Sequence, residues 1–393
     1  MGEDFNTYGS VAIEYETGIF GQMYDYDQRI TGPEDPSSYN NVWTATYNTI
    51  FNCLDVINLC TDGGYEAYPT TRGIAKVMLA YNLALLTDLF GDTPWSQTGN
   101  FTEYMQPKLD TQESIYTDVF KYLDEALEDL PKGDDVNIGN ADMIYAGNAD
   151  LWIKVVYGLK ARYTMRLLNR SSDRNGDLDK VLEYISKSFT SADEEMKFDH
   201  YDAANIYNPY YAFCRSRDYY ALSESMVNKL LSRNDPRATQ TFIDNTQTLI
   251  TADDADFYPA PNGTANKLQY TYNQFACNWL ETAPTQFLSY HELLFLKAEA
   301  QARLGQDASE TLQRAIEAAF ENLAISVKSA INSTFSKKAN GVCTLSAADV
   351  ADYFTNDAKP LYDQNPVKEI MTQKYLAFWG ASGEALEAYN DYR

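Results

Sequence analysis

The segment between Phe287 and Ala319 constrains the fold of this chain more than any other. Its first half carries leucines and alanines on more than one face of a helix, which indicates neighbours on two sides. Gly305 follows Leu304 at the point where a left-handed residue would end that helix. A second helical spacing begins at once, with apolar residues at Leu312, Ala315, Ile316, Ala319 and Phe320. Two helices joined at Leu-Gly, with alanines on both facing sides, are typical of a tetratricopeptide-type repeat, which builds scaffolds and binding surfaces.

Helical periodicity recurs on both sides of a less regular middle. The spacing predicts helices at about residues 42–60, 72–90, 148–168, 178–189, 347–354 and 367–379, and a further helix capped by Asp110 or Thr111 that ends at Pro131. The first forty residues are predicted to be loop-like, and residues 191–284 to be irregular with one convincing helix at 221–232. We therefore predict a mainly all-α fold and a single domain over 1–393. Helix pairs at 41–190 and 285–380 would form the scaffold, with 191–284 as an irregular, ligand-side insertion.

The charge balance disfavours several classes of partner. The chain has 393 residues, of which 56 are acidic and 31 are basic, so its net charge is −25. Nucleic acid and anionic lipid surfaces are therefore poor partners, because binding either one requires neutralising phosphates. Binding of a neutral partner such as a sugar carries no such electrostatic cost.

The sequence shows neither of two kinds of membrane or export signal. No stretch approaches the roughly 18 apolar residues of a membrane helix. The N-terminal residues show neither the basic region nor the apolar region of a signal peptide. We expect either an intracellular protein or the mature part of an exported one.

Cysteine, histidine and acidic patterns indicate no cofactor. Five cysteines are an odd number, which does not make a disulfide framework, and none has zinc-site spacing. His291-Glu292 begins like a zinc-protease motif, but Phe295 stands where the second histidine is required. Acidic runs near Asp193 and Asp253 lack the spacing of a calcium-binding EF-hand loop. We predict no metal, no cofactor and no catalytic residue, and nothing singles out a carboxylate pair for glycoside hydrolysis.

Seven sequence blocks, in order over roughly residues 40–393, resemble the SusD/RagB family of outer-membrane glycan-binding lipoproteins. Among them are Trp43-x3-Tyr47, a helix ending in Gly91-Asp92-x-Pro94, the segment Asn234-Asp235-Pro236-Arg237, the helix Glu292-Leu293-Leu294-Phe295-Leu296-Lys297-Ala298-Glu299-Ala300, and the final Asp391-Tyr392-Arg393. Pro261-Asn262-Gly263 recurs in one subgroup of the family. The order of the blocks makes the resemblance specific, since each block alone is short.

The resemblance implies both a fold and a function. The family has tetratricopeptide-like helix pairs that support a variable, loop-rich region. Its members capture a glycan at the cell surface and pass it to a TonB-dependent, SusC-like transporter, and they are not known for catalysis. The family begins with a signal peptide and a lipidated cysteine, which are not in this chain, so attachment to the outer membrane is implied by the family alone.

Tyrosine is the compositional outlier, with 31 residues, and it suggests where a sugar would bind. Sugar recognition needs aromatic faces beside planar polar groups, and loops carry binding residues more often than helix cores do. Residues 24–39, 201–220 and 270–279 supply both kinds of group. The predicted ligand-binding residues are Tyr24, Tyr26, Arg29, Tyr39, Tyr207, Tyr210, Tyr211, Arg215, Tyr272 and Trp279. Packing in a minor core is the alternative interpretation of each tyrosine.

Two functions from different classes remain open at this point. The first is glycan binding at the cell surface with delivery to a transporter. The alternative is a protein- or peptide-binding scaffold subunit of a transporter complex that has no sugar affinity of its own.

Overall fold

The computed structural model describes residues 4–31, 36–100, 102–202, 204–246, 248–276, 281–331, 345–380 and 383–392. The mainly α-helical prediction is confirmed. The helices are α1 (Asp4–Ala12), α2 (Gly21–Asp27), α3 (Pro36–Asp62), α4 (Pro69–Phe90), α5 (Gln112–Asp129), α6 (Ala149–Arg166), α7 (Arg174–Ser186), α8 (Pro209–Ser216), α9 (Glu224–Leu231), α10 (Tyr290–Arg303), α11 (Ser309–Ile331), α12 (Ala347–Tyr353), α13 (Lys359–Gln364), α14 (Pro366–Phe378) and α15 (Ala385–Tyr392).

Short strands accompany these helices. They are β1 (Glu16–Gly18), β2 (Thr93–Pro94), β3 (Leu109–Asp110), β4 (Met196–Phe198), β5 (Tyr220–Leu222), β6 (Phe242–Ile243), β7 (Gln274–Phe275) and β8 (Thr285–Leu288). Each pairs antiparallel with one other strand: β1 with β5, β2 with β3, β4 with β8, and β6 with β7. The pairs β1–β5 and β4–β8 join residues that are far apart in sequence.

The chain divides into two compact units. The helical unit is Asn40–Thr190, and the composite unit combines Met1–Tyr39 with Ser191–Arg393. The division at residue 190 coincides with the predicted end of the first helical stretch, and it places residues 191–284 with the second. A single domain over the whole chain stays a prediction.

Packing in the helical unit follows the helical periodicity. Helix α4 packs against α5, and α6 packs against α7. Val77, Leu79, Leu83 and Leu86 of α4 are fully buried. Contrary to the sequence expectation, α4 is long and apolar enough to cross a membrane, but 78% of its apolar window is buried inside the protein, as in the core helix of a globular unit.

A buried carboxylate ties α4 to the end of α5. Asp129 accepts hydrogen bonds from Arg72 Nη2 (2.7 Å), Lys76 Nζ (2.9 Å) and Lys132 Nζ (2.8 Å), and its side chain is 3% exposed. Burial alone would raise the pKa of Asp129, but the hydrogen bonds from these three cations hold that pKa well below its usual range. The ionised form is therefore the one that the fold stabilises.

The helix pair predicted between Phe287 and Ala319 is present in the composite unit. Helices α10 and α11 pack together, and Phe295, Ala298, Ala315 and Ile316 lie in their shared core. Gly305 has a φ of +74°, so it supplies the predicted left-handed end of α10.

Two sequence motifs have structural roles in this unit. Arg237 is 2% exposed, donates from Nε to Asp235 Oδ1 (2.9 Å) and from Nη1 to the Leu376 carbonyl oxygen (2.7 Å), and so joins the Asp-Pro-Arg turn to α14. His291 is also buried, with Nε2 2.7 Å from Glu384 Oε2. Both motifs therefore stabilise the scaffold.

The prediction that the first forty residues are loop-like is wrong. Helices α1 and α2 lie there, and α8 is a second helix within residues 191–284. These helices are seven to nine residues long and carry glycine or several aromatic residues, so their periodicity and propensity are weak. Tertiary packing forms them, because Tyr8, Val11, Met23, Tyr26, Tyr210 and Phe213 are buried together in one cluster.

Candidate functional site

One side of helix α2 faces the interior of the unit, and the other side faces solvent. Met23, Tyr26 and Asp27 are buried, whereas Tyr24 remains partly exposed. The helix lies against Gly18 of β1, where an added Cβ would be 1.9 Å from the Met23 carbonyl oxygen. Only glycine permits this approach, which fixes the orientation of α2 and hence of Tyr24.

Lys267 connects Tyr24 to the segment between β6 and β7. Its Nζ lies 4.8 Å from the centroid of the Tyr24 ring and 3.3 Å from Asp25 Oδ1. Arg29 is exposed just after the end of α2. Tyr24, Asp25, Arg29 and Lys267 are called the α2 surface below, and they combine one aromatic face with charged hydrogen-bonding groups.

Asp27 fastens the same segment to α2 from beneath. Its Oδ2 accepts the Gly263 N–H at 2.7 Å, and the side chain is buried. Burial raises the pKa of Asp27 to about 6, although the N–H groups of Gly263 and Gly18 oppose that rise. The backbone beside the α2 surface is thus held by a bond whose strength depends on pH.

Tyr26 and Tyr39 lie together beneath this surface. Their hydroxyl oxygens are 2.9 Å apart, and the Tyr8 ring centroid is 5.1 Å from that of Tyr26 and 5.3 Å from that of Tyr39. Burial raises the pKa of Tyr39, so its phenol stays neutral. This pair supports α2 from the interior.

Helix α8 arranges a second group of predicted residues. Arg215 is exposed, with its guanidinium carbon 5.1 Å from the Tyr207 ring centroid, and the Tyr207 ring centroid is 5.6 Å from that of Tyr211. Burial raises the pKa of Tyr211 to about 12. Tyr210 is buried in the same cluster as Tyr8 and Tyr26. Tyr207 and Arg215 are therefore the members of this group that solvent reaches.

The third predicted stretch places Tyr272 in the interior. It is 2% exposed, its hydroxyl oxygen accepts the Asn266 N–H at 3.0 Å, and its ring stacks on Tyr258 with centroids 4.8 Å apart. Tyr258 covers it and is itself 47% exposed. Trp279 lies outside the described residues.

A cleft of about 1000 Å³ opens in the helical unit. Its walls combine Tyr116 and Phe120 of α5 with Asn169 and Arg170, which follow α6. Acidic side chains, among them Asp92, Glu113 and Asp177, line it as well. Within the ranges that the structure describes, no group of three or more His, Cys, Asp or Glu side chains is arranged to hold a metal ion.

Comparison with known proteins identifies the architecture. A sequence profile of SusD-like proteins, described as "Starch-binding associating with outer membrane", matches residues 13–393. The chain belongs to the SusD-like family. Proteins of this family bind glycans, act by binding and not as enzymes, and are associated with the outer membrane. A search of curated proteins found no match.

Solved structures agree with this assignment. A SusD/RagB family protein from Bacteroides thetaiotaomicron is 44% identical with a TM-score of 0.95, over 100% of this chain and 83% of that one. A chitin-binding SusD homolog from Flavobacterium johnsoniae is 18% identical with a TM-score of 0.72, over 99% and 81% of the two chains. A SusD homolog from Bacteroides fragilis is 20% identical with a TM-score of 0.71, over 98% and 81%. The last two show the fold alone.

The site predicted for this SusD-like chain separates into exposed and interior residues. Tyr24, Arg29, Tyr207 and Arg215 reach solvent, and Tyr39 is half-buried. The interior residues are Tyr26, Tyr210, Tyr211 and Tyr272. A buried ring has no free face for a sugar, so in this structure the interior tyrosines support the surface.

Two residues beside the site were not predicted from the sequence. Lys267 contacts Tyr24, and Tyr258 covers Tyr272. Neither carried a signal, because a lone lysine and a lone tyrosine in an irregular segment have no periodicity that would indicate their neighbours.

Proposed function

We propose that this SusD-like chain binds a neutral glycan at the cell surface and delivers it to a TonB-dependent, SusC-like transporter of the outer membrane. The α2 surface is the observation that carries the proposal. Its Tyr24 ring offers an apolar face for the C–H groups of a sugar, and its charged neighbours can bond hydroxyl groups. Asp27 and Gly18 hold this surface in place before a ligand arrives, which lowers the ordering cost of binding.

The charge of the protein supports a neutral ligand. A net charge of −25 repels polyanions at a distance, whereas a neutral polysaccharide is unaffected. The pair formed by Tyr207, just before α8, and Arg215 of α8 offers a second aromatic face beside a planar donor, with 5.1 Å between guanidinium carbon and ring centroid. A long glycan could engage both surfaces along its length.

The proposed role is capture without catalysis. A lipid anchor would hold the protein at the outer membrane. Purified protein should release no reducing ends from a glycan that it binds. Release above that of a heat-inactivated sample would contradict this part of the proposal.

Calorimetry against a polysaccharide panel tests the binding. The panel comprises soluble starch, chitin oligosaccharides, xyloglucan and, as the polyanion, polygalacturonate. We expect binding to at least one neutral glycan and none to polygalacturonate. Tyr24→Ala should weaken that binding about fivefold or more, because it removes an aromatic contact face. Tyr65→Ala is the matched control, since Tyr65 is 54% exposed but lies in the helical unit. A folded protein that binds no member of the panel would contradict the proposal.

Delivery to a transporter requires a separate test. The protein would be purified in mild detergent from the outer membrane of its native host. A TonB-dependent barrel should co-purify with it, and disruption of the barrel gene should abolish glycan uptake while leaving surface binding intact. Uptake that persists without the barrel would contradict delivery.

The cleft in the helical unit favours one alternative function. Its acidic and aromatic lining suits a cationic, extended peptide, as in a tetratricopeptide-type scaffold without sugar affinity. Phe120→Ala and Asp177→Asn should then abolish binding of a Lys-rich peptide, and the glycan panel should give no signal with the unaltered protein. Glycan binding that survives both substitutions would set this alternative aside.

A further inference from the structure

Tyr270 has a backbone conformation that aromatic residues rarely adopt. Its φ is +56°, in the left-handed region. For a residue with a Cβ this region is unfavourable, whereas glycine adopts it freely. A persistent cost of this kind indicates that the rest of the structure, or the function, requires the residue.

Of the four other non-glycine residues described with positive φ, three, all except Ala146, have an ordinary explanation. Glu14, Arg29 and Asn234 each follow a helix, and the N–H of the next residue donates to a carbonyl oxygen of the last helical turn, at 2.8, 2.8 and 3.0 Å. That pattern is the usual left-handed end of a helix. Tyr270 follows no helix, so its conformation has another cause.

Two distant side chains hold the Tyr270 backbone. Asp218 Oδ2 accepts its N–H at 2.5 Å, and Asn245 Nδ2 donates to its carbonyl oxygen at 2.8 Å. Asp218 is only 8% exposed, and its other oxygen accepts Gln274 Nε2 at 2.7 Å. The backbone on both sides of Tyr270 is therefore fixed by residues 52 and 25 positions away.

The side chain that this arrangement presents points to solvent. Tyr270 is 73% exposed, and among the described residues its ring stacks on no aromatic neighbour and its hydroxyl makes no hydrogen bond. The packing of the ring therefore adds little stability to offset the unfavourable backbone conformation. Tyr258 lies near this segment in space, because its carbonyl oxygen accepts a hydrogen bond from the Asn273 N–H at 2.9 Å. Its side chain is 47% exposed.

We propose that Tyr270 is a ligand-contacting residue whose ring is a fixed stacking face for a neutral sugar, with Asp218 and Asn245 as its positioning residues. This inference rests on the proposed function and names one residue of the binding site. Lys267 of the α2 surface lies three residues earlier, so the Cα atoms of the two residues are at most roughly 10 Å apart. A rigid aromatic side chain gives large contact area at small entropic cost.

Tyr270→Gly is the deciding variant, because it removes the ring and relieves the backbone at the same time. Its melting temperature should equal or exceed that of the unaltered protein. Its affinity for the panel glycan that the unaltered protein binds, among starch, chitin oligosaccharides and xyloglucan, should fall about tenfold or more. Tyr270→Phe should retain affinity within about twofold, because it keeps the ring.

Asn245→Ala separates positioning from general stability. It should weaken glycan binding in the unaltered background and cause no further loss in Tyr270→Gly, since the two act through the same ring. Equal affinity of Tyr270→Gly and the unaltered protein would overturn the inference and leave the proposed function standing. Absence of glycan binding by the unaltered protein would overturn both.

Discussion

The helical unit and residues 191–284 of the composite unit are stabilised in different ways. In the helical unit one buried carboxylate, Asp129, gathers three cations near the helix ends. In residues 191–284 several polar side chains accept hydrogen bonds from nearby backbone N–H groups, as Asp244 Oδ1 does from Thr246 and Thr248, at 2.8 and 2.9 Å. The first arrangement concentrates stability in few side chains, and the second distributes it over many.

This difference has a functional consequence. Distributed backbone bonding needs no regular element, so the chain can present side chains in directions that a helix would not allow. Tyr270 is the example, exposed and held by its backbone alone. The helical unit provides the scaffold, and residues 191–284 provide exposed side chains.

The largest expected effect is at Asp129. Asp129→Asn should lower the free energy of unfolding by roughly 3–5 kcal/mol, because it removes the buried carboxylate charge that the largely buried Arg72 and Lys76 face. Denaturant unfolding at pH 7 measures the change. Glu128→Gln is the matched control, since Glu128 is exposed and its neutralisation should cost less than about 0.5 kcal/mol. Similar values for the two variants would contradict the concentration of stability at Asp129.

Asp27, under the α2 surface, should make the stability of the fold decrease as the pH rises. A carboxylate whose pKa is lowered, such as Asp129, has the opposite effect. The pKa of Asp27 is raised to about 6 in the folded protein, against about 3.9 in an unfolded chain. The folded state therefore binds the proton more tightly, and this stabilisation is complete below about pH 3.9 and is lost as the pH rises through about 6. It amounts to roughly 2–3 kcal/mol.

Asp27→Asn tests that sign. The variant stays neutral, so the unaltered protein should lose stability relative to it between pH 4 and pH 6. Thermal or denaturant unfolding of both proteins across that range gives the difference. A constant difference across the range would show that Asp27 does not titrate with a raised pKa.

Two asparagine helix caps, one in the helical unit and one in residues 191–284, allow the two regions to be compared directly. Asn148 caps α6 in the helical unit and is exposed, accepting from the Asp150 and Leu151 N–H groups. Asn208 caps α8, is fully buried, and also donates from Nδ2 to the Ala283 carbonyl oxygen at 2.9 Å. Asn148→Ala should cost about 1 kcal/mol, as a cap alone does. Asn208→Ala should cost about 2–3 kcal/mol, because it also leaves buried polar groups unpaired. Equal costs would remove the distinction between the two caps.

The sequence allowed the regular parts of the fold to be predicted. Helices α3, α4, α6 and α7 lie within a few residues of the predicted ranges, except that α3 begins earlier, at Pro36. Gly305 ends α10 where the Leu-Gly pair indicated. In each case a long apolar stripe or a glycine at a helix end carries the signal locally.

The short helices and the exposure of tyrosines could not be predicted in the same way. Helices α1, α2 and α8 depend on partners that are distant in sequence. A tyrosine suits both environments, since it has an apolar ring and a polar tip. Tyr210 and Tyr211 are therefore interior, and Tyr24 and Tyr207 reach solvent, although all four had the same sequence pattern. The conformation of Tyr270 depends on Asp218 and Asn245, which no local motif connects to it.

Hydrogen exchange with and without a bound glycan tests the central claim most directly. The full chain would be compared with and without saturating amounts of the panel glycan that calorimetry identifies. We predict that exchange slows in residues 20–31 and 258–274 of the composite unit and stays unchanged in residues 112–120 and 167–177, which line the cleft of the helical unit. Slowed exchange confined to the cleft segments would contradict the account.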